Sequence, residues 1–250
     1  MTYKEFGKEK KETVLLLHGG GLSWWNYREA ADQLKEEYHV ILPVLDGHAG
    51  SGYPFTSIED NARRIIAFID GKLGGHVSLI GGLSLGGQVL LEMLSQKKDI
   101  CENAIAESAA VIPSPVTRAM IAPSLAASYG LVKNRAFAKA QFRSLHMKRE
   151  LFEEYYRDTC LITRQDMTSF LKASAGYALN DQIKKTEANM YIFCGEKENA
   201  RVRRSAQMIR DAVPGSRFQV LPGLRHGEFS INHPAQYADT VRKILNDSRG

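Results

Sequence analysis

Cysteine is scarce in this 250-residue chain. There are three, Cys101, Cys160 and Cys194, an odd number, widely spaced and with no CxxC pair. A disulfide framework or a zinc site needs paired or clustered thiols, so this usage argues against both and suits a reducing, cytoplasmic compartment. Cys101 and Cys194 fall in apolar, strand-like runs, where a thiol packs as a small inert hydrophobe. Long apolar runs are absent too. None approaches the roughly 20 residues of a membrane span, and the opening Met-Thr-Tyr-Lys-Glu-Phe leads into no signal-type apolar stretch. There is no internal repeat and no low-complexity segment. A general excess of one charge is also lacking. Residues 113–180 hold ten Lys and Arg against five Asp and Glu, which accounts for the whole net charge of +5. The basic character therefore belongs to one segment, which argues against a nucleic-acid partner, and nothing supports stable membrane insertion.

What is present is the composition of an ordinary globular protein, 44% hydrophobic and 24% charged. Apolar runs of strand length alternate with helix-period stretches. The run at 13–17, Thr-Val-Leu-Leu-Leu, is apolar throughout, as in a parallel strand buried on both faces. Further strands are predicted at 2–6, 38–44, 77–80, 100–107, 189–194 and 217–221. Helices are predicted at 23–35, with Ser23 as N-cap, at 57–70, with Ser57 opening a capping box, and at 201–213 and 234–246. Such alternation implies an α/β fold with a mostly parallel, doubly wound sheet. The rhythm breaks at 113–180, which opens with Pro113 and Pro115 and reads as successive helices. We read one domain over 1–250, with its core in 1–112 and 181–250.

The central stretch is Val77–Leu94. A β-type run leads into Gly82-Leu83-Ser84-Leu85-Gly86, and a helix with Val89, Leu90, Met93 and Leu94 on one face follows. Strand, G-x-S-x-G, helix is the context of a nucleophile elbow, a tight turn that lifts a serine hydroxyl clear of the sheet. The other chemistry-bearing groups, His18–Gly21, Glu196, Glu198 and His226, also follow predicted strands. They would share the carboxyl edge of one sheet, where such folds place their sites.

With His18-Gly19-Gly20-Gly21, Asp46–Gly52, the elbow, Gly195-Glu196-Lys197-Glu198 and Gly223-Leu224-Arg225-His226-Gly227, the chain resembles the α/β-hydrolase-fold family over essentially its whole length. The order Ser, acid, His is the one that family uses. The resemblance implies Ser84 as nucleophile, His226 as general base and Glu198, three residues beyond Gly195, as the acid. It leaves Glu196 as a rival and Glu107 as a more distant one. It implies an oxyanion hole from the backbone N–H groups of Gly20 and Leu85, with His18 bracing the glycine loop and His48 in a matching structural loop. The 113–180 segment corresponds to a helical cap over the site. Trp24 and Trp25 are candidates for the substrate pocket. Arg135, Lys139 and Arg143, spaced by four, share a helical face that is either solvated or able to attract anions.

The function implied is a serine hydrolase acting on a small ester-like substrate, with no cofactor and no metal. A thioester, a lactone or a C–C bond between carbonyls would use the same groups. A ligand-binding protein with little turnover is the alternative of a different class.

Overall fold

The computed structural model describes residues 1–249. Seven strands form one sheet: β1 (Tyr3–Phe6), β2 (Thr13–Leu17), β3 (His39–Pro43), β4 (Val77–Leu83), β5 (Cys101–Glu107), β6 (Asn189–Gly195) and β7 (Arg217–Leu221). Their spatial order is β1-β3-β2-β4-β5-β6-β7. Only β1 is antiparallel, and it pairs with β3 at one edge. β2 and β4 are central and parallel, with Leu17 opposite Gly82. The predicted doubly wound sheet is the one observed.

Among the described residues, ten α-helices connect or cover these strands. They are α1 (Arg28–Leu34), α2 (Ile58–Lys72), α3 (Leu85–Gln96), α4 (Pro115–Ser128), α5 (Arg135–Ser144), α6 (Phe152–Leu161), α7 (Arg164–Gly176), α8 (Ala200–Ala212), α9 (Glu228–Asn232) and α10 (Pro234–Asp247). Two apolar layers result, one on each face of the sheet. One holds Leu15, Ile80, Val89, Leu90 and Ile192. The other holds Leu16, Leu79, Ile105, Tyr237 and Val241. Alternate residues of β2 therefore feed opposite layers, as the two-residue side-chain period of a strand requires. Cys101 and Cys194 lie in this interior as free thiols. Burial pushes the first up to about 12 and the second up to about 11, so neither is a thiolate at neutral pH.

Local readings held unevenly. The Ser57 side chain accepts the Asp60 N–H at 3.0 Å, so α2 begins where its cap signal lies. Ser23 does not cap. Residues Trp24–Tyr27 form a tighter 3₁₀ turn before α1, and the Ser23 side chain makes no cap bond. The short helix α9 was not foreseen, because five residues are too few to show a helical period. Residues 113–180 form α4 to α7 between β5 and β6, as read from the broken rhythm. They reach back to the loops at the carboxyl edge. Trp25 Nε1 donates to Asp158 Oδ2 at 2.7 Å, the Phe55 N–H donates to Asp166 Oδ1 at 2.8 Å, and Arg28 pairs with Glu154. Among the described residues, no helix is long and apolar enough to cross a membrane.

Candidate active site

The turn from β4 into α3 is crowded. A Cβ on Gly82 would stand 2.4 Å from the Gly86 carbonyl oxygen, and one on Gly86 would stand 2.1 Å from that of Leu17. Only glycine fits either place. Between them Ser84 is held at φ 53° and ψ −110°, outside the regions an L-residue favours. The strain persists because the neighbours fix it. The Ser84 N–H donates to the Glu107 carbonyl at 2.8 Å, and the Ser84 carbonyl accepts the Gln88 N–H at 2.9 Å.

The loop after β7 brings His226 over this serine. Its Nε2 lies 3.0 Å from Ser84 Oγ, and its Nδ1 lies 2.9 Å from Glu198 Oε2. Nδ1 must carry the proton to donate to a carboxylate, which leaves Nε2 to accept the Ser84 hydroxyl. The loop after β6 delivers Glu198. Gly195 permits it, since a Cβ there would stand 2.5 Å from the Leu224 carbonyl oxygen of the histidine loop. The Glu198 side chain is 1% exposed and that of His226 is 49% exposed. Burial lowers the His226 pKa, but the hydrogen bond and charge of Glu198 outweigh it and leave the imidazole more basic than usual.

The rival carboxylates do other work. Glu196 Oε2 accepts the Gly223 N–H at 2.7 Å on the surface. Glu107 Oε1 accepts the Ser230 N–H at 3.3 Å in the interior, near Tyr27 and Tyr237. Burial pushes Glu107 up to about 7. One further residue, Ser108, was not foreseen. Its hydroxyl donates to Glu198 Oε1 and accepts the Gly227 N–H at 3.4 Å. The only sequence signal was the polar end of the β5 run.

The glycine loop after β2 is braced by two imidazoles. His18 Nε2 accepts the Leu45 N–H at 3.1 Å, so its Nδ1 donates to the Gly19 carbonyl at 2.9 Å. His48 Nε2 accepts the Gly21 N–H at 3.0 Å, and its Nδ1 donates to the Asp46 carbonyl at 3.0 Å. Both rings are therefore neutral, and burial holds both below the usual histidine range, His48 at about 4. Gly19 N–H donates to Asn26 Oδ1 at 3.2 Å, so Gly20 is the amide of the loop left without an acceptor among the described residues. A Cβ on Gly20 would touch Leu85 at 3.5 Å. Leu85 opens α3, where a first-turn N–H has no intrahelical partner. The two candidate oxyanion donors are thus adjacent.

The tryptophans depart from expectation. Trp25 is 1% exposed and anchored on Asp158, so it offers no open surface to a substrate. Trp24 lines a different cleft, with Lys4, Arg157 and Leu161, and none of the groups around Ser84 lines it. Either was a candidate for the pocket or for packing inside; the 3₁₀ turn sends the second indole inward, and the first lies beside Lys4 of the edge strand β1.

The site thus has a hydroxyl on a strained turn, an imidazole, a buried carboxylate and two free amides. The chain matches the alpha/beta hydrolase family over residues 14–240 and belongs to that family. Lipase 3 of Moraxella sp. (strain TA144) is 34% identical over 92 residues, a stretch covering 36% of this chain and only 29% of the lipase. Among solved structures, an esterase from Thermogutta terrifontis (malate bound) superposes with a TM-score of 0.81 at 18% identity, covering 100% of this chain and 94% of that one. The enol-lactonase from Burkholderia xenovorans LB400 gives 0.83 at 18% identity, covering 98% and 96%. At such identities the structural matches establish the fold.

Proposed function

We propose that this protein is a cytoplasmic serine hydrolase of carboxylic ester-like bonds in small molecules, with α4–α7 as a helical cap over the site. One observation carries the reading: His226 stands at hydrogen-bond distance from Ser84 Oγ on one ring nitrogen and from Glu198 on the other. His226 Nε2 takes the hydroxyl proton as Ser84 Oγ attacks the acyl carbon. The resulting oxyanion is met by the N–H groups of Gly20 and Leu85. Glu198 holds the Nδ1–H tautomer and stabilises the imidazolium. His226 then gives its proton to the leaving oxygen, and the acyl group remains on Ser84. Water, deprotonated by the same nitrogen, attacks the acyl-enzyme, and Ser84 leaves with the proton. The partial sequence match to a lipase favours an oxygen ester over a thioester or C–C substrate.

Labelling with a fluorophosphonate tests the reading. Wild-type protein should be labelled at Ser84 only. Ser84→Ala should be unlabelled and should lose activity on p-nitrophenyl esters by on the order of 10⁶-fold. A folded protein that neither labels nor hydrolyses any ester of a graded p-nitrophenyl, thioester and lactone panel is instead a ligand-binding member of the family.

A further inference from the structure

The segment joining α5 to α6 is pinned to α9, the short helix that follows the histidine loop. Asn232, the last residue of α9, donates from Nδ2 to the His146 carbonyl at 2.8 Å. Its Oδ1 accepts the Lys148 N–H at 3.2 Å. His146 sits at φ 54°, a conformation this clamp maintains. Between α5, the clamped segment and the start of α9 lies a cleft of about 560 Å³. Its floor is apolar, made by the buried side chain of Phe142 and by Phe152 and Met147.

The rim of the cleft is cationic. Lys139, Arg143 and Arg149 line it, and among the described residues no carboxylate lies within 4.0 Å of any of the three. The two carboxylates that also line it are engaged elsewhere. Glu153 is paired with Arg135, which lies over the Phe152 and Tyr156 rings. Glu228 Oε2 accepts the Arg225 N–H at 2.7 Å. The face read from the sequence therefore divides: Arg135 neutralises Glu153, while Lys139 and Arg143 join Arg149 around the opening. Two guanidinium forks and an ammonium group around an apolar floor suit a phosphate group joined to a hydrocarbon segment.

None of Ser84, His226, Glu198, Gly20 and Leu85 lines this cleft, but its wall begins two residues beyond His226. Glu228 on its wall is two residues from His226, a backbone span of at most about 7 Å. His226 must protonate the leaving atom, so the leaving group departs along the histidine loop, away from the amides of Gly20 and Leu85. We propose that this cleft binds the phosphate-bearing leaving group of the substrate. The proposal rests on the serine hydrolase reading above. It narrows the substrate class to esters or thioesters in which the departing alcohol or thiol carries a phosphate.

A matched pair of substrates tests it: butyryl-pantetheine and butyryl-4′-phosphopantetheine, identical but for the phosphate. Wild-type protein should prefer the phosphorylated member by about tenfold or more in kcat/KM, and the preference should shrink as salt rises. In Lys139→Gln/Arg143→Gln/Arg149→Gln the ratio should fall close to one. Equal rates on the pair in wild type, or a preference that survives the triple change, overturns the proposal. Whenever neither thioester is turned over, the kinetic comparison gives way to direct binding; if no p-nitrophenyl ester is turned over either, the hydrolase reading fails by itself. In both cases the cleft is judged by titrating 4′-phosphopantetheine into wild-type and triple-variant protein. Binding that weakens by about tenfold or more in the variant keeps the phosphate site, and absent or unchanged binding removes it. All three side chains are exposed, and circular dichroism verifies that the variant is folded.

Discussion

Ser108 donates its hydroxyl to Oε1 of Glu198, the carboxylate oxygen that His226 leaves free. The same hydroxyl accepts the N–H of Gly227, so one side chain ties the acid loop to the histidine loop. Ser108 is itself fixed at φ 56° by its N–H bond to the Phe193 carbonyl on β6. The acid is thus oriented from the end of β5, two strands away from the loop that carries His226.

This arrangement makes the acid testable. Glu198→Gln keeps the shape but removes the charge, and should lower kcat by roughly 10²–10⁴-fold, against less than about tenfold for Glu196→Gln. Ser108→Ala should cost about tenfold in kcat with KM little changed, since it loosens the acid without touching substrate. If the losses at 198 and 196 are reversed, the acid is Glu196. If both variants stay near wild type, Glu107 becomes the candidate.

The pH profile follows from the same contact. His226 must be neutral to accept the Ser84 proton, and Glu198 raises its pKa above 6.5. The acid limb of kcat/KM should therefore lie above pH 6.5 in wild type and move to lower pH in Glu198→Gln. An unmoved limb would mean that another group titrates there.

The strain at Ser84 predicts a gain of stability without function. Glycine accepts φ 53° and ψ −110° where alanine does not, so Ser84→Gly should be about 1 kcal/mol more stable than Ser84→Ala, with both inactive. Urea midpoints measure the difference, and equal midpoints would show the turn to be unstrained.

The neutral imidazoles make the glycine loop sensitive to acid. His48 titrates at about 4 in the fold against an ordinary value of 6.5. Between those values the unfolded chain takes up a proton that the folded chain refuses, so stability must fall as pH drops through that window. The size is roughly 3 kcal/mol. His48→Gln can still accept the Gly21 N–H but does not titrate. Its stability relative to wild type should improve by roughly 2–3 kcal/mol between pH 7 and pH 4.5, measured by urea unfolding. A constant difference across that range contradicts the assignment.

Two glycines separate crowding from conformation. Gly86→Ala places a methyl 2.1 Å from the Leu17 carbonyl oxygen, a backbone atom that cannot move alone. It should cost about 3 kcal/mol and abolish labelling of Ser84. Gly21 has φ +77° but nothing within 4 Å of an added Cβ, so Gly21→Ala should cost only about 1 kcal/mol. Similar losses at the two positions would argue against a packed elbow.

The sequence by itself determined the order of the strands and of the helices other than α9, the parallel sheet and the elbow. All of these rest on local period, on apolar runs such as Thr13–Leu17 and on glycines with no substitute. The family resemblance implied Ser84, Glu198 and His226, and each follows a strand of one parallel sheet and so shares its carboxyl edge. Tertiary structure decided the contacts between loops. The resemblance favoured Glu198 over its rival Glu196, but only the packed loops show that Glu196 meets Gly223 while Glu198 meets His226. Trp24 and Trp25 are identical in sequence terms, yet Asp158 from α6 takes the second into the core. Ser108 was invisible for the same reason: its two partners lie 90 and 119 residues further along the chain. Periodicity reports which face of an element is buried. It carries no information on which distant backbone arrives there, and that is fixed only when the loops pack together.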